Sequence, residues 1–123
     1  MSPPPATVLL VEDGQDLGPL LRETVEEWNH RALLASTGAE ALEMLGREPV
    51  ALMLLDHELP DMTGSELLEM LRSGSRSIPP VVLMGAGRWG GPEQHGTEVV
   101  EVLRKPFDLR DLAALLERRL PRR

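Results

Sequence analysis

Val50-Ala51-Leu52-Met53-Leu54-Leu55-Asp56 is a short, unbroken apolar run that ends in a single carboxylate. It follows Pro49 and leads into His57-Glu58-Leu59-Pro60, so turn-forming residues bound it on both sides. A run of this length is too short for a stable helix and reads as a strand. Four similar runs occupy residues 7–11, 31–35, 81–84 and 99–103.

Amphipathic stretches separate these runs. In residues 17–28, Leu17, Leu20, Leu21, Val25 and Trp28 share one helical face, and Pro19 is tolerated in the first turn. Thr37-Gly38-Ala39-Glu40 and Thr63-Gly64-Ser65-Glu66 each read as a capping box that opens a helix. A last helix is expected to begin at Asp108 and run through Leu109, Leu112, Leu115, Leu116 and Arg119, with cations at its C-terminal end. Strand–helix alternation predicts an α/β fold, a doubly wound (βα)5 flavodoxin-like domain. Its five parallel strands are expected in the order 2-1-3-4-5, with helices on both faces. The fourth helix is expected to be short or irregular, because residues 85–98 are rich in glycine and contain Pro92.

The 123 residues suit one domain with a single substantial core. Residues 1–5 are expected to form a disordered tail, residues 6–120 the folded domain, and residues 121–123 a C-terminal tail or the start of a linker. A net charge of −7 argues against direct nucleic-acid binding, which needs a basic surface. Trp28, Trp89 and Phe107 are the whole aromatic set, which nearly excludes stacking platforms for bases or flat cofactors. Cysteine is absent, so thiolate metal sites and nucleophiles are excluded. With no apolar run of membrane-spanning length and no signal-peptide pattern, a cytoplasmic location is expected.

Ligands of open parallel sheets bind at the carboxyl ends of the strands. The first strand ends in Glu12-Asp13, the third in Asp56 and the fifth in Lys105-Pro106. Three carboxylates and one lysine should therefore gather on one edge. Clustered carboxylates repel unless a cation neutralises them, and an acidic oxygen-rich site suits Mg²⁺. One carboxylate can attack phosphorus to give an aspartyl phosphate, with the lysine offering a compact positive charge to a phosphoryl oxygen. Lys105 is the only lysine among 13 basic residues, which singles out its position.

Four segments together carry a family resemblance: Val8-Leu9-Leu10-Val11-Glu12-Asp13, Leu54-Leu55-Asp56-His57-Glu58-Leu59-Pro60-Asp61-Met62-Thr63-Gly64, Pro80-Val81-Val82 and Lys105-Pro106-Phe107. In this order and spacing the chain resembles the receiver domains of two-component response regulators, from Ala6 to Leu120. The resemblance implies Asp56 as phosphoacceptor, Lys105 as phosphoryl contact and a cis bond before Pro106. It also implies Mg²⁺ (or Mn²⁺) held by Glu12, Asp13, Asp56 and the backbone carbonyl of Glu58. The implied partner is a histidine kinase or phosphotransfer protein, with output through protein–protein contact and neither nucleic acid nor membrane bound by the domain. Such a domain is not an enzyme beyond its own phosphorylation and dephosphorylation.

Two positions depart from the family pattern. Gly85 stands where the family has Thr or Ser, and Val102 stands where it has the switch aromatic. An alternative reading follows: a pseudo-receiver that docks partners without being phosphorylated. A phosphatase-type enzyme using Asp56 as nucleophile lacks any accompanying general acid. Gly85-Ala86-Gly87-Arg88-Trp89-Gly90 matches G-x-G-x-x-G, but it precedes Gly-Pro and is read as a flexible loop. Trp89 there is either a partner anchor or a plug over the helix gap, and Arg88 is a candidate to approach the phosphoryl group in place of the missing hydroxyl.

Overall fold

The computed structural model describes residues 5–74, 77–87 and 91–120, apart from the side chain of Glu93. The tails at residues 1–4 and 121–123, together with Arg88, Trp89 and Gly90, lie outside the described residues. The readings of the two tails, Pro5 apart, of the second half of the G-x-G-x-x-G stretch and of Arg88 and Trp89 fall there. Five strands, β1 (Thr7–Val11), β2 (Arg31–Ala35), β3 (Leu52–Asp56), β4 (Val81–Gly85) and β5 (Val99–Arg104), form one sheet in the order β2-β1-β3-β4-β5. All four pairings are parallel. The expected topology is the observed one.

Every residue of β3 and of β4 is buried, whereas the edge strands β2 and β5 are only partly covered. Helices on both faces explain why the inner strands read as continuous apolar runs rather than alternating ones. Along each strand, successive side chains still point to opposite layers. Val8, Leu10, Leu54, Val82 and Met84 pack with α1 (Leu17–Glu27) and α4 (Leu109–Arg119), through Leu21, Val25, Leu112, Leu115 and Leu116. Leu9, Val11, Met53, Leu55 and Leu83 face α2 (Gly38–Arg47) and α3 (Gly64–Arg72), meeting Ala41, Leu67 and Leu68. Trp28 closes α1 as its C-cap and packs half-buried against the first of these clusters.

The helix starts follow from their caps. Thr63 and Glu66 form the full reciprocal box at α3, as the sequence suggests. At α2 only the hydroxyl half forms, with Thr37 Oγ1 accepting from the Glu40 amide at 3.0 Å. The Gly38 and Ala39 amides of that helix are instead taken by Asp61, 2.9 and 3.0 Å away. Asp108 and Asp111 form an unanticipated box at α4, with Asp111 in the place usually held by Glu.

Between β4 and β5 the described residues contain a single 3-10 turn, Pro92–Gln94, and no α-helix. Arg72 at the end of α3 fastens this crossover. Its Nε donates to Glu98 Oε1 at 3.0 Å, and its guanidinium also donates to the His95 carbonyl. Gly96 takes φ +103° beneath that guanidinium, a conformation and a closeness that require glycine.

Candidate functional site

Because the strands are parallel, their carboxyl ends meet on one edge, and the chain's acidic strand ends arrive there together. Glu12 follows β1, its amide still donating to the Ala35 carbonyl at 3.0 Å, as if extending the ladder with β2. Asp56 is the last residue of β3 and Gly85 the last of β4. The Lys105 amide donates to the Gly85 carbonyl at 2.8 Å, and the Lys105–Pro106 peptide is cis, as the family resemblance implies.

Carboxylate oxygens of Glu12, Asp13 and Asp56 lie within 4.8 Å of one another. Lys105 Nζ sits between two of them, 2.9 Å from Glu12 Oε2 and 3.1 Å from Asp56 Oδ2. Glu12 and Asp56 are buried, and Asp13 is exposed. Asp56 Oδ1 accepts the Glu58 amide at 3.1 Å, so both oxygens of the acceptor carboxylate are engaged. Glu12 Oε1 accepts the Gly14 amide at 3.0 Å, and a Cβ on Gly14 would stand 3.0 Å from that same oxygen. Glycine there lets the chain fold back over the carboxylate.

The charges respond as this geometry requires. Burial pushes the Glu12 carboxyl above its ordinary range. The hydrogen bond from Lys105 opposes that rise, while the nearby Asp56 adds to it. Lys105 is held above the ordinary ammonium value: burial works against its charge, and the bonds to Glu12 and Asp56 outweigh it. Among the described residues, the site is a compact acidic nest with the Lys105 ammonium inside it. Its donors are hard oxygen atoms, and no thiolate or imidazole belongs to the acidic trio. That donor set fits Mg²⁺ or Mn²⁺ better than a soft transition metal.

Of the residues singled out in the sequence, Glu12, Asp13, Asp56 and Lys105 come together through their side chains. Glu58 reaches the site through its backbone, its side chain being exposed. Gly85 is buried beside β5, in register with Arg104. Val102 pairs with Leu83 and packs on the α2/α3 side of the sheet. A groove of about 750 Å³ between α2 and α3, lined by Leu42, Val50, Met70 and Ile78 among others, includes none of Glu12, Asp13 and Asp56. Sequence reasoning missed Gly14 and Asp61. Asp61 bonds across 23 residues to Gly38, a separation that no local pattern signals.

The response regulator receiver domain model matches residues 8–117. The chain belongs to that family. Among curated relatives it is 31% identical over 117 residues to the response regulator receiver protein CpdR of Brucella abortus, covering 92% of this chain and 95% of that one. It is 32% identical over 118 residues to the aerobic respiration control sensor protein ArcB of Escherichia coli, but there it spans only 15% of the relative's length. Among solved structures, the chemotaxis response regulator CheY4 of Vibrio cholerae superposes with a TM-score of 0.81 at 27% identity, covering 95% of this chain and 100% of that one. A sensor protein from Polaromonas sp. JS666 gives 0.78 at 30% identity, covering 94% and 96%.

Proposed function

We propose that this chain accepts a phosphoryl group on Asp56 from a phosphohistidine of a histidine kinase or phosphotransfer protein, and signals by protein–protein contact. The observation that carries the reading is the placement of Lys105 Nζ against both Glu12 and Asp56, within a trio of carboxylates. Glu12, Asp13 and Asp56, with the Glu58 carbonyl, would hold Mg²⁺ or Mn²⁺. The bound ion supplies positive charge that offsets the build-up of negative charge on the transferred group.

The chain's own residues do the rest. An Asp56 carboxylate oxygen forms the new P–O bond as the P–N bond to the donor imidazole breaks, and the leaving nitrogen takes a proton. Lys105, already beside Asp56, is placed to move its ammonium onto a phosphoryl oxygen as the charge shifts from carboxylate to phosphoryl. The Glu58 amide orients the acceptor carboxylate. Within this reading the domain spans residues 6–120, works in the cytoplasm, and catalyses nothing beyond its own phosphorylation and dephosphorylation. A named relative, sporulation initiation phosphotransferase F of Bacillus subtilis, is 25% identical over 93% of both chains and supports a place in phosphoryl relay.

A second reading rests on Gly85 and Val102. A glycine at the end of β4 offers no hydroxyl to a phosphoryl oxygen, and Val102 no aromatic ring to rotate with it. Under that reading the domain docks partners without phosphorylation. The deciding experiment presents phosphoramidate, which carries the same P–N bond, and maps the modified peptide after trapping the acyl phosphate with hydroxylamine. Hydroxamate formed at Asp56 alone supports phosphoacceptance. An unmodified peptide, under conditions that label another receiver, favours docking.

A further inference from the structure

We infer that Asp61 is a positioning residue for the phosphoacceptor site: it clasps the tip of the loop after Asp56 onto the start of α2, and so fixes the backbone of Glu58. The inference rests on the proposed function, since it concerns the loop that shapes the same site.

The stretch after β3 is a miniature hairpin. Glu58 and Thr63 form an isolated antiparallel bridge, and the Leu59 amide donates to the Met62 carbonyl at 3.2 Å. Pro60 and Asp61 are thus the two residues of its turn. The base is tight: the Gly64 amide donates to the His57 carbonyl at 2.7 Å, and a Cβ on Gly64 would lie 3.1 Å from the Asp56 carbonyl oxygen. Within this hairpin the Glu58 amide holds Asp56 Oδ1. A lone two-stranded ribbon of this size is marginal, so its tip needs an anchor.

That anchor is Asp61. Its two carboxylate oxygens accept separately from the Gly38 amide at 2.9 Å and the Ala39 amide at 3.0 Å. These bonds hold its carboxyl below the ordinary carboxylate range. Met62 adds a second hold, because its side chain lies in the space that Gly38 leaves; a Cβ there would collide with Met62 Sδ. Among the described residues the Asp61 carboxylate bonds Gly38 and Ala39 and neither Asp56 nor Lys105, so its influence on the site runs through the hairpin backbone.

The test compares wild type, Asp61→Ala, Asp61→Asn, Gly38→Ala and Thr37→Ala. Thr37→Ala removes the other side-chain cap of α2 without touching the hairpin, and so reports a merely structural loss. Gly38→Ala disturbs the clasp from the helix side while adding a better helix former. The first readout is Mg²⁺ affinity by calorimetry; the second is hydrogen exchange at the Glu58 amide without metal. Asp61→Ala and Gly38→Ala should weaken Mg²⁺ binding by about tenfold, the usual scale for residues behind a ligand shell. Both should speed Glu58 exchange, Asp61→Asn should fall between, and Thr37→Ala should leave both readouts at wild-type values. Equal effects from Thr37→Ala, or none from Asp61→Ala, would overturn the inference. Should wild type bind no Mg²⁺, the metal part of the functional proposal fails, and Glu58 exchange alone still decides whether Asp61 positions the loop.

Discussion

Replacing Lys105 with Met takes its ammonium out of the acidic nest while keeping a side chain of similar length. Lys105 Nζ bonds Glu12 and Asp56 at 2.9 and 3.1 Å, and both partners are almost wholly buried. Breaking a fully buried pair in this way costs about 3–5 kcal/mol. The Lys105 side chain is 26% exposed, so water screens part of that interaction and the cost should be smaller. A ceiling also exists, because the orphaned carboxylates can take up one proton. At pH 7 that uptake onto a carboxyl of ordinary pKa costs about 3.5 kcal/mol. Metal-free Lys105→Met should therefore lose about 1–3 kcal/mol in urea unfolding at neutral pH. Where the variant's native state holds the extra proton, the loss should shrink by about 1.4 kcal/mol for each pH unit of acidification. Mg²⁺ should stabilise the variant more than the wild type, since no ammonium competes for the acids. A loss indifferent to both pH and Mg²⁺ would mean that Lys105 contributes by packing and not by charge.

Glu12→Gln tests the raised carboxyl. Burial lets native Glu12 keep its proton above the unfolded value of 4.5, so metal-free stability should fall as pH rises through that window, and Gln should remove this component of the slope. Urea midpoints across the acidic range show it; an identical slope in the two proteins would refute it. His30→Ala should cost about 1–3 kcal/mol, because buried His30 Nδ1 accepts the Ala6 amide at 2.9 Å and the truncation leaves that donor unanswered. Equilibrium unfolding measures this, and a neutral result would place the pairing outside the stability of the fold. Gly85→Ser restores a hydroxyl at the end of β4; a bond to a charged oxygen is worth about 1.5–3 kcal/mol, so labelling by a small phosphodonor should quicken by about tenfold or more. An unchanged labelling rate would show that this hydroxyl does not limit the reaction here.

The fold was legible because its signals are local and repeated. Short apolar runs bounded by turn residues, such as residues 52–55, read as strands between two helix layers, and the capping chemistry of Thr63 marks a helix start within three residues. The acidic site was legible for a topological reason: parallel strands gather their carboxyl ends, so Glu12, Asp56 and Lys105 meet although 93 residues separate the first from the last. Contacts with no periodic or local signature were not legible. The α2 start resembles that of α3 in sequence, yet Asp61 takes its first amides and only the Thr37 half of the box forms. The Arg72 bonds that hold the β4–β5 crossover span a similar distance, so the glycine content announces a missing helix without saying what replaces it.

The proposed function stands or falls with acceptance of a phosphoryl group by Asp56. Intact-mass measurement after incubation with acetyl phosphate and Mg²⁺ tests it most directly, with Asp56→Asn and a metal-chelated sample alongside. The wild type with Mg²⁺ should gain one phosphoryl group, and neither control should gain any. No gain in the wild type under rapid acid quench, while a second receiver labels in the same buffer, would contradict it. Equal labelling of Asp56→Asn would contradict the assignment of the acceptor.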